Sequence, residues 1–357
     1  MKKVVTAFIA IALVSILLLV MINHLNLAQG YAGADTLTIF NWGDYIDMDL
    51  VSQFEEETGI TVIYETFDSN EAMLTKIQQG GTTYDIAVPS EYMIEKMLEE
   101  DLLVPLAHEK LPNLDNIDER FMNLPFDQGN QYSVPYFWGT VGILFNPELL
   151  PGKTFTSWDD LWDPDLKNGI LLIDGAREVI GMGLNSLGFS LNDTNHDNLD
   201  EALQKLSGLT PNVKAIVGDE NKLLMANNEA AVSLAWSGDA RDIMWENEAL
   251  TYVVPEEGSN LWFDNMVIPK TADNIDGAHA FINFMLDPEI AALNTEYVSY
   301  STPNQAALAF LPAEMVEDER FYPPTELTER LEVYENLGKD MLSLYNELFL
   351  QFKMHRN

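Results

Sequence analysis

Asp35-Thr36-Leu37-Thr38-Ile39-Phe40-Asn41-Trp42-Gly43-Asp44 reads as a strand running into a turn. Residues 35–40 alternate toward a buried strand, and Asn41-Trp42-Gly43-Asp44 forms the turn at its C-terminal end. The next segments repeat the theme. Leu50, Val51 and Phe54 stand at helical spacing between Asp49 and Thr58, with Gly59 placed as the C-cap. Ile60 to Thr66 is a second strand. Asp68-Ser69-Asn70-Glu71 caps a helix over Ala72 to Gln79, which Gly80-Gly81 closes. Tyr84 to Val88 is a third strand, stopped by Pro89, and Ser90 is placed to cap a helix from Tyr92 to Glu99. The order β-α-β-α-β-α specifies an α/β fold with a mostly parallel sheet. Open sheets of this kind bind ligands beyond the carboxyl ends of their strands. Trp42, Tyr45, Ser90 and Tyr92 all fall there.

Further along, Tyr132 to Pro147 reads as a crossing between domains, its Gly-rich apolar run a tightly packed strand. Trp158 and Trp162 are four apart on one face of a short helix and read as core. Strands are expected at Gly169–Ile173, Ala230–Trp236, Thr251–Val254 and Leu261–Ile268. Helices are expected after Asp174, over Leu199–Leu206, Lys222–Asn228, Ala240–Glu248, Asp276–Leu286 and Pro288–Tyr297. In the tail, Leu331, Tyr334, Leu337, Met341, Leu344, Tyr345 and Leu348 form a stripe that predicts a long helical region over Glu326–Phe352. The chain of 357 residues exceeds a comfortable single core. Two discontinuous lobes are expected, one from 35–132 and 255–310, the other from 133–254 and 311–357, joined near Asn130–Ser133 and Glu248–Asn260.

Composition narrows the function. There are 19 Lys plus Arg against 57 Asp plus Glu, a formal net charge of −38. Phosphates would be repelled, which argues against a nucleic-acid partner. The bulk of the charge reads as solubility or salt adaptation, but its field would concentrate a small cation. Cys is absent, which excludes disulfides, thiolate metal sites and a Cys nucleophile. The five His are scattered, and no spaced metal motif appears. No cofactor is expected. Lys2-Lys3 precede an uncharged run from Val4 to Ile22, the pattern of an export signal and long enough for a retained anchor. Residues 1–34 are read as one or the other, which places the body outside the cytoplasm.

Four segments set an aromatic beside a carboxylate: Asn41–Tyr45, Ser90-Glu91-Tyr92, Trp236-Ser237-Gly238-Asp239 and Trp262-Phe263-Asp264. They are read first as exposed turns, although the last also falls inside an expected strand. A carboxylate and a ring face together suit a cationic ligand. Each segment also has a plain packing reading. Phosphate-loop, nucleophile-elbow and His-Glu metal motifs are missing. A sugar-processing enzyme, with paired carboxylates and aromatic platforms, is the rival from another class, but the carboxylates read as exposed rather than buried for acid catalysis. A binding protein, not an enzyme, is the expectation.

Six stretches carry a resemblance: Phe40–Tyr45, Phe54–Ile60, Tyr84–Ser90, Val134–Thr140, Asp174–Val179 and Tyr300–Asn304. In them the chain resembles the substrate-binding proteins of spermidine/putrescine ABC transporters, over about Thr36 to Phe352. The resemblance implies a periplasmic-binding-protein-like fold, two α/β lobes closing by a hinge on a polyamine in an interlobe cleft. It further implies delivery to membrane permease subunits by a monomeric body. Carried over, the ligand residues are Trp42, Tyr45, Ser90, Tyr92, Glu178, Trp236, Trp262, Asp264 and Tyr300. Asp44, Asp174, Gly175 and Glu335 are further candidates. The family has an acidic residue where this chain has Gly175, and a Gln typical of spermidine binders aligns near Glu335. The choice between putrescine and spermidine stays open on these residues, as does binding of another small cationic solute.

Overall fold

The computed structural model describes residues 35–355, so the signal or anchor expected over residues 1–34 lies outside the described residues. β1 (Thr36–Trp42), α1 (Met48–Thr58), β2 (Thr61–Phe67), α2 (Asn70–Gln79), β3 (Ile86–Ala87) and α3 (Glu91–Glu99) alternate as the pattern predicts. The Asp47 and Ser69 side chains accept the Asp49 and Ala72 N–H groups at the starts of α1 and α2. Gly59 and Gly80 end these helices at φ of 73° and 61°, a left-handed conformation that favours glycine. β1 lies parallel between β2 and β3. One detail departs from expectation. β1 continues through Asn41 and Trp42, paired with Thr66 and Phe67, so the turn begins only at Gly43.

The remaining strands are β4 (Ser133–Phe145), β5 (Ile170–Ile173), β6 (Val213–Val217), β7 (Val232–Trp236), β8 (Thr251–Val253) and β9 (Leu261–Val267). The sheet order is β2-β1-β3-β9-β4-β7-β5-β6, with β8 also on β4. The flanks are parallel, as expected. The centre is antiparallel, where β9 pairs with β3 and β4, and β4 pairs with β7 and β8. β6 is absent from the sequence reading because it is an edge strand with only Val213 fully buried, so no alternation marks it.

β4 holds the architecture together. All thirteen of its residues are buried. Through Thr140 it pairs with β9, and from Val141 it pairs with β7 and then β8. Two glycines allow the close approach this requires. A Cβ on Gly139 would stand 2.4 Å from the Trp262 ring, and one on Gly142 would stand 2.4 Å from the Val253 carbonyl oxygen.

The longer helices that follow are α4 (Ala176–Asn185), α5 (His196–Leu209), α6 (Glu220–Ala226), α7 (Ser237–Glu246), α8 (Ile275–Met285), α9 (Pro288–Val298) and α10 (Gly338–His355), with single turns at Ala313–Val316 and Thr325–Thr328. Trp158 is core as read, and its indole donates to the Gly258 carbonyl at 2.9 Å. The tail differs from expectation. Only α10 is a long helix, and it packs on α4 and α5. Leu331 to Leu337 lies outside any helix. Glu332 bonds the chain at Ser259 and Leu261 through its backbone, and Leu331 and Tyr334 are buried from this non-helical segment. Two buried residues three apart mimic a helical stripe, and nothing local distinguishes the two cases.

The Gly142 contact gives a stability test. Gly142→Ala drives a methyl into a carbonyl oxygen fixed on a paired strand. It should cost at least about 1–3 kcal/mol, read as a lowered urea midpoint with an unchanged slope.

Candidate functional site

Asp264 is the centre of the candidate site. It lies mid-strand on β9 opposite Phe137 of β4 and is buried. The Tyr45 hydroxyl donates to its Oδ2 at 2.7 Å, and the Ser90 hydroxyl donates to its Oδ1 at 2.7 Å. Burial pushes its carboxyl up to about 6, against the opposing pull of the two hydroxyls. Both hydroxyls are neutral donors, so the buried charge has no formal counterion. Among the described residues, the ion pairs fall on other carboxylates.

Ser90 stands at the N-cap of α3, but its side chain makes no capping bond. The hydroxyl serves Asp264 instead. Asn70 holds this end of the cleft in place. Its Oδ1 accepts the Ser90 N–H, and its Nδ2 donates to both Ser90 Oγ and Tyr92 Oη, each at 3.1 Å. Tyr92 then donates to Glu71 Oε1 at 3.3 Å. A continuous chain of hydrogen bonds therefore runs from Asp264 through Ser90, Asn70 and Tyr92 to Glu71.

Rings wall the carboxylate. Tyr300 meets Trp262 edge-on at 5.2 Å between centroids and Tyr45 at 5.4 Å. Tyr45 also packs edge-on against Phe137. Trp42 leans on Phe67 at 4.5 Å and is half-buried, as is Trp236. The Tyr300 hydroxyl donates to Asp239, which is paired with Lys222 at 3.1 Å. The segments read as exposed turns are not all turns. Ser237-Gly238-Asp239 is the first turn of α7, and Trp262-Phe263-Asp264 is buried strand. Gly238 suits its place because the Tyr300 ring lies 2.4 Å from where a Cβ would stand.

The opposite wall begins at α4. Glu178 sits in its first turn, half-buried, with its carboxylate folded back over Gly175. Oε2 lies 2.0 Å from the position a Gly175 Cβ would take, so the absent side chain is what lets the carboxylate retract. Burial raises the Glu178 carboxyl. Its own backbone N–H and Arg177 oppose the rise, and Glu71 adds to it. Burial also raises Tyr92 well above its usual range, with further pushes from Glu71 and Glu178. The N-terminal turns of α2, α3 and α4 thus converge from both halves of the sheet.

Tyr45, Ser90, Tyr92, Glu178, Trp262, Asp264 and Tyr300 are linked by these contacts and fields, while Trp42 stands at the end of β1 against Phe67 and Trp236 at the end of β7. Three further candidates make none of these contacts. Asp174 pairs with Lys353 of α10 at 2.7 Å. Glu335 is exposed, and its backbone carbonyl and N–H meet Arg177 and Asn192. Asp44 is exposed in its turn at φ 50°. Tyr334, next to Glu335, is the buried neighbour, and its hydroxyl is raised by burial and by Glu178. Sequence reasoning passed over Tyr334, Asn70, Glu91, Arg177 and Asp239 as site residues. Glu91 and Asp239 lay inside quoted segments, and Asn70 sits just past the end of β2. Tyr334 carried no signal beyond the misleading stripe. Among the described residues, no group of three or more His, Asp or Glu could hold a metal ion.

Residues 49–323 match the bacterial extracellular solute-binding protein family. The chain is similar to a solved Listeria monocytogenes protein named for a spermidine/putrescine ABC transporter, with 66% identity and a TM-score of 0.86, covering 90% of this chain and 99% of that one. It is similar to the solved spermidine/putrescine ABC transporter substrate-binding protein of Streptococcus pneumoniae, with 58% identity, TM-score 0.82, and coverage of 90% and 100%. It is also 39% identical over 323 residues to the spermidine/putrescine-binding periplasmic protein of Salmonella typhimurium, covering 90% of this chain and 92% of that one.

The Asp264 environment predicts a pH signature. A carboxyl raised from 3.8 to about 6 in the fold costs stability when ionised, and that cost disappears as pH falls through 6 toward 4. Ligand-free Asp264→Asn should therefore be more stable than the wild type near pH 8, by on the order of 3 kcal/mol. The difference should close by about pH 4, as read from paired denaturant melts. A difference independent of pH would remove the assignment.

Proposed function

Because the chain belongs to the bacterial extracellular solute-binding protein family, we propose that it binds a polyamine, spermidine or putrescine, outside the cytoplasm and delivers it to the permease of an ABC transporter. The observation that carries this reading is Asp264, a buried carboxylate held by two neutral hydroxyls and walled by Trp262, Tyr300 and Tyr45. An ammonium there supplies the missing countercharge through a charge-assisted hydrogen bond. The rings cover the methylene chain and attract the charge that follows it.

Glu178, on the opposite wall, takes a second ammonium. Its field and that of Glu71 are of like sign, and a cation between them relieves their repulsion. Trp42 and Trp236 close over the chain from the two halves. The lobes of this reading follow those expected from the sequence, except that β4 crosses where its partners change, at Thr140–Val141, rather than near Asn130–Ser133. Closure is then a hinge motion at β4 and at residues 254–260, with populations shifted by the ligand. The body acts as a monomer and performs no catalysis. The stretch from Lys2 to Ile22 exports or tethers it.

The test is calorimetric titration of the body from Asp35 onward with spermidine and with putrescine. One-to-one binding at micromolar or tighter affinity is the expected result, and the absence of heat and of thermal stabilisation with both would overturn the reading. Asp264→Ala should lose about 2–5 kcal/mol of binding free energy while keeping a cooperative melt. Wild-type affinity in that variant would remove Asp264 from the site.

A further inference from the structure

Glu91 is fully buried at the first position of α3, between Ser90 and Tyr92. Its Oε2 accepts the Phe263 N–H of β9 at 2.9 Å. Phe263 stands between Trp262 and Asp264, so this bond ties the α3 wall to the strand that carries the central carboxylate. The other oxygen, Oε1, is buried without a hydrogen-bond partner. Leaving such an atom unpaired forfeits its whole hydration, and native folds rarely do so without cause.

Arg177 is its complement in the other half of the sheet. It precedes Glu178 in the first turn of α4 and is buried. Nη1 donates to the Glu335 carbonyl at 3.2 Å, and Nη2 donates to Asn192 Oδ1 at 2.7 Å. The guanidinium lies 4.2 Å from the Tyr334 ring centroid. Its Nε, like Glu91 Oε1, is buried and unpartnered. The two groups already feel one another's charge.

We propose that Glu91 is a positioning residue that couples closure of the cleft to its occupancy: Oε2 holds the Trp262–Asp264 segment, and Oε1 receives Arg177 from the opposite half when the halves draw together on the ligand. The proposal rests on the polyamine reading. It assigns these residues no ligand contact. Glu91 acts through Trp262 and Asp264, and Arg177 acts through the adjoining Glu178, so one ion pair aligns three segments of the wall at once.

The groups facing Glu91 set a pH dependence. Burial pushes its carboxyl up to about 8. The Phe263 N–H and its own backbone N–H oppose the rise first; Asp264 on β9 adds to it and Arg177 on α4 opposes it more weakly, while the Tyr334 hydroxyl, from the segment before α10, lies within its field. The charged pair needs the ionised form. Its contribution to binding therefore grows as pH rises through the neutral range.

Glu91→Gln keeps the shape and an oxygen for the Phe263 N–H but cannot carry the charge. Spermidine and putrescine affinities would be measured by calorimetry from pH 6.5 to 8 for the wild type, Glu91→Gln, Arg177→Gln and the double variant, with melts of each ligand-free protein. Glu91→Gln is expected to weaken binding tenfold or more. It should lose the part of the pH dependence that the wild type shows beyond the ligand's own titration, without a lowered melt at neutral pH. The double variant should bind about as the weaker single variant does, because both remove one interaction. If Glu91→Gln does not fold, Arg177→Gln reads the same pair from the other side and should also flatten the pH profile. Parallel pH profiles, or single losses that add in the double variant, would overturn the pairing while wild-type binding kept the polyamine reading intact. A wild type that binds neither polyamine would overturn both.

Discussion

A carboxylate buried on a central strand without a formal counterion is the condition around which the cleft is arranged. Burying Asp264 penalises its ionised form, and the fold offsets part of that penalty with hydroxyls from two other elements. Tyr45 reaches it from the loop after β1, and Ser90 reaches it from the cap of α3. Ser90 gives up its capping bond to do so. The remaining electrostatic deficit is what a cation can supply. In the proposed reading, binding completes a charge the folded chain leaves incomplete, and sign is selected before shape.

The second constraint is continuity. β4 is one strand shared by two sets of partners, and β9 is bonded to its first part. Asp264 and Trp262 on β9, and Phe137 on β4, therefore stand on the elements nearest the junction. The other walls come from helix starts: α2 and α3 from one side, α4 and α7 from the other. Helix N-termini favour carboxylates, and Glu71, Glu91, Glu178 and Asp239 all sit in first turns. The arrangement gathers four acidic side chains at the first turns of α2, α3, α4 and α7.

Glycine matters at this junction for closeness more than for flexibility. Gly139 lies under the Trp262 ring, Gly238 under Tyr300 and Gly175 under the Glu178 carboxylate. In each case a site group occupies the space of an absent side chain. At Gly175 the absent side chain leaves the space into which the Glu178 carboxylate folds.

The sequence by itself determined the α/β alternation of residues 36–99, the caps at Ser69, Gly59 and Gly80, and the strands that carry Trp236 and Asp264. It did so because periodicity and capping are local. Its aromatic–carboxylate pairs singled out Trp42, Tyr45, Ser90, Tyr92, Trp262 and Asp264, and the charge balance argued against a nucleic-acid partner. Only the tertiary structure decided which neighbours join them. Asn70 became a linker between Ser90 and Tyr92 because two segments twenty residues apart meet. Asp174 turned toward Lys353 because α10 packs beside α4. Tyr334 took the buried place beside Glu178 while Glu335 faced solvent, because a segment read as helix leaves the helix and bonds along 259–261. β6 escaped notice because an edge strand needs no alternation. These outcomes rest on long-range pairings, and the spacing of residues along the chain holds no record of them.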